Sequence, residues 1–230
     1  FLRIMYIVAI VSSLFVLLFA ITTHEASHAW SAYRLGDPTA HALGRVSLNP
    51  LAHIDLFGTV LLPLLLVLWG MPAFGWAKPV PVNPYNFRHP RRDNFWVSLA
   101  GPAANFTAAF AALVLLLLLK VFSPGITDFL RRYLLAREGM PPGIYPLQGL
   151  ALILFYATLV NTYLAVFNLI PVPPLDGSGV LSSLLSPAAL EKYERLRPFG
   201  FFLVIILVSL GVLNIVIRPL QILIFTLVFL

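Results

Sequence analysis

Cysteine is absent from this sequence. Its absence excludes a disulfide framework, a thiolate nucleophile and any metal site built on sulfur. A metal here would have to be held by His and carboxylates. Charge is scarce too. Only 10% of the 230 residues are Asp, Glu, Lys or Arg, against about 25% in a soluble domain. Long stretches carry no Lys or Arg at all. The longest polar stretches run to a few tens of residues, too short for an independent soluble core. What the chain has in abundance is apolar surface, with 60% hydrophobic residues and a mean hydropathy of +0.91. Such a composition describes a polytopic membrane protein whose main solvent is the bilayer. The net charge of +6 does not point to nucleic acid. The basic residues sit in loops between apolar runs, where they act as topological signals and meet anionic head groups.

The apolar runs give the organisation. The first covers about Leu2 to Tyr33, long enough to span a bilayer with tilt. It begins beside Phe1 rather than Met and is far longer than a signal-peptide core, so it is expected to be retained. Residues 34–55 form a polar connection rich in turn signals, among them Gly36-Asp37-Pro38 and Asn49-Pro50. A second run, Leu56 to Ala77, is interrupted by Pro63 and Gly70-Met71-Pro72. The Pro-rich stretch Lys78 to Pro84 is kept out of a helix and pushed toward extended structure. A basic loop with Arg88, Arg91 and Arg92 follows. Further spans are expected over about Asn94–Val121 and Leu147–Ile170, separated by a polar loop at 122–146. Residues 178–186 read as a short helix. The last stretch, 199–230, reads as one or two segments broken at Arg218-Pro219. The expected fold is an all-α polytopic membrane protein with about five to six transmembrane segments. It forms a single domain over 1–230, with a catalytic core of about 2–186 and the C-terminal helix or helices at 199–230.

The chemistry concentrates in one place. Between Arg3 and Arg34 the only side chains able to carry charge near neutral pH are His24, Glu25 and His28. They form the pattern His24-Glu25-Ala26-Ser27-His28. Residues four apart share one helix face, so both imidazoles can reach one zinc ion. Glu25 lies about 100° around the helix from His24, placed to act on a nearby water without being a ligand. From the His and Glu frequencies, roughly 0.002 matches to this pattern are expected by chance. Three ionisable groups in a membrane helix also cost several kcal/mol unless paired or bound to metal. The plainer alternative is a polar cavity or proton path. Thr22, Thr23 and Ser27 can line a water channel, but they more readily bond back to helix carbonyls.

A catalytic zinc needs a third protein ligand and an open position. His41, His53 and His89 lie in loops beside basic or Pro-rich sequence. Asp176 follows the fourth span inside a Pro-rich break, where irregular backbone is tolerated if it lines a cavity. Its setting leaves two roles open: third ligand, or a turn residue capping the next short helix.

Three motifs now stand in order: His24-Glu25-x-x-His28, Gly101-Pro102-x-x-Asn105, and Asn168-Leu-Ile-Pro171-x-Pro173-Pro174-Leu175-Asp176-Gly177. Together they resemble the signatures of the site-2 protease family of intramembrane zinc metalloproteases, over about residues 10–185. The stretch Gly75 to Pro84 looks like that of compact prokaryotic members, and this chain has room for neither an appended PDZ nor a CBS domain. The resemblance implies one zinc ion held by His24, His28 and Asp176, with Glu25 as catalytic base. It also implies that Asn105 and Asn168 lie near the site, holding substrate backbone or helping to stabilise an oxyanion. Interhelical hydrogen bonding is their other possible role.

Topology tests this reading. The two His lie near one end of the first helix, so Asp176 must return to the same side. It does so only if residues 56–77 dip into the membrane and come back, turning near Gly70-Met71-Pro72. The Pro-rich stretch after them would then offer an extended edge to an unwound substrate. The basic loop 78–92 would face the cytoplasm, in keeping with the positive-inside rule. The loop 122–146, with Arg131, Arg132 and Arg137 against Asp128 and Glu138, would lie outside against that rule.

The expected function is hydrolysis of peptide bonds within or near transmembrane segments of membrane-protein substrates. The setting is a prokaryotic cytoplasmic membrane, with the site toward the cytoplasm and no nucleic-acid partner. A metal-ion or proton transporter would also hold His, Glu and Asp at membrane depth, but would spread them over several spans. A catalytically dead scaffold has no use for Glu25. The substrate and the oligomeric state are not written in the chain.

Overall fold

The computed structural model describes residues 2–61, 65, 68, 78–136 and 146–230. No strand occurs among the described residues, and the architecture is helical. The helices are α1 (Leu2–Arg34), α2 (Thr39–Ala42), α3 (Pro90–Phe122), α4 (Gly125–Arg131), α5 (Pro146–Asn168), α6 (Asp176–Leu184), α7 (Pro187–Glu194), α8 (Gly200–Ser209) and α9 (Val212–Phe229). Of these, α3, α5 and α9 are long and apolar enough to cross a membrane. The 33 residues of α1 rise roughly 50 Å at 1.5 Å per residue.

The central helix is α3, which packs against α1, α5 and α6. Small residues make this close packing possible. Ala29 and Ala32 of α1, Ala109 and Ala112 of α3, and Ala151 and Ala165 of α5 are all buried. Lipid gives helices no hydrophobic reason to associate, so backbone approach through small residues carries the contact. Gly179 of α6 follows the same rule, since a Cβ there would overlap Ser98 Oγ of α3. Beside it Asn94 Nδ2 donates to Gly179 O (3.2 Å) and Ser183 Oγ (3.0 Å), pinning α6 to α3.

A second packing centre lies farther along α3. There Leu116 joins Ile126, Phe129, Leu130, Tyr133, Leu152, Phe155, Ile224 and Val228. This corrects the expectation of a polar loop at 122–146. Residues 125–131 form α4, and Arg132–Ala136 continue as a wider helical turn. Ile126, Phe129, Leu130 and Tyr133 recur at helical spacing and fill one face. The charged residues between them had masked that period. Residues 137–145 of the same loop are outside the described set.

A second correction concerns the C-terminal break. It falls at Gly211, not at Arg218-Pro219. Gly211 adopts φ +73°, a left-handed conformation that ends α8 and lets α9 start. Pro219 lies inside α9, as membrane helices tolerate. The far end of α9 is held by two cations. Lys120 Nζ donates to Leu227 O (3.1 Å) and Arg131 donates to Phe229 O (2.8 Å), which favours the negative end of the helix dipole.

The predicted re-entrant segment shows its flanks. Lys78 N–H donates to His53 O at 3.0 Å, so the chain leaves and returns at one place. A single crossing would separate these residues by about 30 Å. The expected turn at Gly70-Met71-Pro72 lies outside the described residues.

From Lys78 the chain runs back along the end of α1 as a strap, and Asp37 fastens it. Asp37 is fully buried. It accepts from Thr39 N (3.1 Å), Thr39 Oγ1 (2.5 Å), Asn83 N (2.7 Å) and Asn86 Nδ2 (2.8 Å). Burial pushes its carboxyl up, but the hydrogen bonds from Thr39, Asn86 and Asn83 outweigh burial and hold it below its ordinary value. A depressed folded-state pKa gives stability that is present above the unfolded value, about 3.9, and lost as pH falls through the folded value. Asp37→Asn should therefore lower stability by about 2 kcal/mol at neutral pH, because an amide group now faces backbone donors. In thermal unfolding the gap to wild type should close as the pH drops below about 4. A gap that persists in strong acid would show that charge is not the cause.

Candidate metal centre

Three separate helices build the site. The last turns of α1 carry His24 and His28, both buried. Thr22 Oγ1, Thr23 Oγ1 and Ser27 Oγ bond back to Leu18 O (2.7 Å), Phe19 O (2.9 Å) and Thr23 O (2.7 Å). Of their two readings, this is the back-bonded one. Asp176 is the first residue of α6. It arrives there through a tight turn after α5, closed by Gly177, where a Cβ would overlap Leu169 O.

The side chains converge. His24 Nε2 lies 2.9 Å and His28 Nε2 3.2 Å from Asp176 Oδ2, and the two Nε2 atoms are 3.1 Å apart. Ligands at 2.0–2.1 Å in a tetrahedral array lie roughly 3.3 Å from one another, so the triangle is of the right size. Among the described residues, this is the group of His and carboxylate side chains close enough to share one ion. His41 instead stacks on Tyr33, His53 bonds Ser47 O at 2.8 Å, and His89 precedes α3.

Two further observations show that the site suits a cation. Asp176 Oδ2 is buried, and the polar atoms facing it are the Nε2 atoms of His24 and His28. A carboxylate oxygen buried that way costs several kcal/mol unless a positive charge meets it. The roof over the triangle is Gly101 of α3. A Cβ there would overlap His28 Nε2 and lie 2.7 Å from His24 Nε2. The space is kept by the absence of a side chain. One carboxylate and two imidazoles, with no sulfur, match the donor set of a catalytic zinc.

Around the triangle, His28 Nδ1 lies 2.7 Å from Val97 O and His24 Nδ1 lies 2.5 Å from Asn105 Oδ1. Glu25 stands aside from the three donors, and its Oε2 accepts from Val80 N–H of the strap at 3.3 Å. Asn105 is fully buried, and Nδ2 donates to Ala20 O (3.1 Å) and Asn161 Oδ1 (2.8 Å). Asn168 is half-buried near the end of α5, with Nδ2 donating to Leu164 O (3.0 Å) on its own helix. Asn161 and Val80 were not singled out by sequence. Asn161 had a readable signal, as an amide in the middle of an apolar span. Val80 had none, because its contribution is a backbone N–H.

Comparison with known proteins agrees with this geometry. The chain matches the profile described as Peptidase family M50 over residues 12–211. It is 35% identical over 205 residues to "Putative zinc metalloprotease YwhC" of Bacillus subtilis (strain 168), covering 85% of this chain and 80% of that protein. It is 30% identical over 197 residues to "Putative zinc metalloprotease Rip2" of Mycolicibacterium smegmatis, covering 86% of this chain and 66% of that protein. Rip2 of Mycobacterium tuberculosis (strain H37Rv) is 29% identical with the same coverage. The chain thus spans about two thirds of the mycobacterial relatives' length. No solved structure matches it. With a triangle of two His and one Asp among apolar helices and a family match across most of its length, this chain belongs to peptidase family M50, the site-2 protease family of membrane zinc metalloproteases.

Proposed function

We propose that this protein hydrolyses peptide bonds within or near transmembrane segments of other membrane proteins. His24, His28 and Asp176 hold the zinc and Glu25 is the catalytic base. The observation that carries this reading is the buried Asp176 Oδ2 facing two imidazoles, with the Glu25 carboxylate one residue along from His24 on the same helix. When bound, zinc polarises the scissile carbonyl and acidifies water. Glu25 takes the proton of the attacking water and delivers it to the leaving amine. Its position beside but outside the triangle leaves it free to do both.

A helix hides its peptide bonds, so the substrate enters unwound. The strap beside Glu25 is the edge it joins. Pro79 and Pro81 have no N–H, so donors come only from Lys78, Val80 and Val82. The Lys78 donor is taken by His53 O, which leaves Val82 and, once it releases Glu25, Val80 as donors for substrate carbonyls. Asn168 contributes from the end of α5 toward the substrate backbone. Residues 1–230 act as one domain with the site toward the cytoplasmic face. In a chain without cysteine, a single cysteine at Arg91 should be labelled from the cytoplasm; labelling only from the other side would reverse the orientation.

The direct test is cleavage of a model transmembrane substrate by the purified protein. Activity should vanish on chelation and return with one equivalent of zinc. Cleavage that persists in the zinc-free protein would refute the proposal.

A further inference from the structure

We propose that Asn161 is a positioning residue for the metal centre. Acting through Asn105, it fixes His24 as the tautomer whose Nε2 faces the centre without a proton. The inference rests on the metal-site reading given above.

A neutral imidazole carries one N–H, and only the bare nitrogen can bind a metal. For His28 the choice is simple. Its Nδ1 lies 2.7 Å from Val97 O. A backbone carbonyl only accepts, so the proton is on Nδ1 and Nε2 is bare. For His24 the partner is an amide, which has a donor end and an acceptor end. Asn105 Oδ1 must face His24 Nδ1 for the same result. Turned the other way, Asn105 would donate to Nδ1 and force the proton onto Nε2, where it would block the metal.

The orientation of Asn105 is set by two neighbours. Its Nδ2 donates to Ala20 O and to Asn161 Oδ1. Asn161 is itself an amide, and its own orientation is set by Ala157 O, which accepts from Asn161 Nδ2 at 2.9 Å. The chain of donors thus runs from Ala157 O through Asn161 and Asn105 to His24, ending at a carbonyl that cannot flip. Turning Asn105 would put its oxygen against two other oxygens. Asn161 and Asn105 are both buried. In such surroundings an unmatched pair of acceptors is costly. The position of Asn161 in the middle of a membrane-length helix fits a device of this kind, because an amide there has to be matched or it is expensive.

The test reads the proton directly. In metal-free protein with 15N-labelled histidine, at a pH where both imidazoles are neutral, the ring correlations of wild type should place the proton on Nδ1 of His24 and of His28. In Asn161→Leu, which is close in size and has no acceptor, Asn105 is held by Ala20 O alone, and His24 should populate the Nε2–H form in part. His28 should stay unchanged and so report an intact fold. Zinc affinity, measured by competition with a chelator, should fall about 10-fold, the low end of losses from altered outer partners. Asn161→Asp keeps an oxygen facing Asn105, with its second oxygen protonated to donate to Ala157 O in place of Nδ2, and should retain the wild-type tautomer and an affinity within about threefold. A wild-type His24 protonated on Nε2 would overturn the proposal, as would an unchanged His24 in a folded Asn161→Leu protein. If Asn161→Leu does not fold, the Asp variant decides, and a shift of its His24 proton to Nε2 overturns the relay. Failure of wild type to bind zinc at all would instead refute the metal-site reading.

Discussion

Gly101→Ala is expected to abolish zinc binding while leaving the helices assembled. The added methyl group would occupy the space where the two Nε2 atoms meet, overlapping that of His28 and standing 2.7 Å from that of His24. Neither ring can retreat. His28 is tied to Val97 O, and His24 to Asn105 Oδ1. The backbone of α3 cannot retreat either, because it packs against α1, α5 and α6 together. Disturbing only the outer partners of a metal ligand costs 10–100-fold in affinity. An atom placed among the ligands themselves should cost about 100-fold or more. Zinc content after purification and a chelator titration measure this. Circular dichroism and thermal unfolding should show a protein still helical, destabilised by about 1–3 kcal/mol, as is usual for overpacking. Stoichiometric zinc at wild-type affinity would mean that the metal sits somewhere other than under Gly101.

Glu25→Gln should have an equally large effect of the opposite kind. Zinc should remain bound within about threefold, because Glu25 is not one of the three donors and Gln keeps an oxygen for Val80 N–H. Cleavage should fall by about 10²–10⁴, the usual contribution of a general base, or roughly 3–5 kcal/mol of barrier. The loss should appear in kcat with KM little changed, since substrate binding does not need the proton transfer. A Glu25→Gln protein that cleaves at the wild-type rate would remove Glu25 from the mechanism. Together the two variants separate metal loss from base loss, which a single activity assay confounds.

The sequence made some of this legible and not the rest, for physical reasons. His24, Glu25 and His28 were readable because helical period is local, and four residues always return to one face. Asp176 was not readable from spacing. Its role depends on which side of the bilayer the chain returns to, and so on residues far from it. The meeting of His53 and Lys78 brings the two flanks of that segment together through one backbone hydrogen bond, which no residue type encodes. The break at Gly211 was missed because proline is the louder signal, although in a membrane helix glycine in a left-handed conformation breaks the chain more sharply than Pro219 does. The helix at 125–131 was hidden by the charges interleaved with its apolar face. Asn105 was visible as part of a motif, but its hydrogen bond to His24 required the crossing of α1 and α3.

The three donors come from distant parts of the chain, two in α1 and one at the start of α6. This sets an order of events during biosynthesis. The ribosome delivers His24 and His28 to the membrane first and Asp176 roughly 150 residues later, about 10–30 s at ordinary rates of synthesis. Throughout that interval the nascent chain has His24, Glu25 and His28 but not Asp176, and no Gly101 roof until α3 has docked. Until α6 is in place, the group of side chains close enough to share one ion is incomplete. The triangle is thus a product of the finished fold, and no part of it longer than one helix can form ahead of the rest.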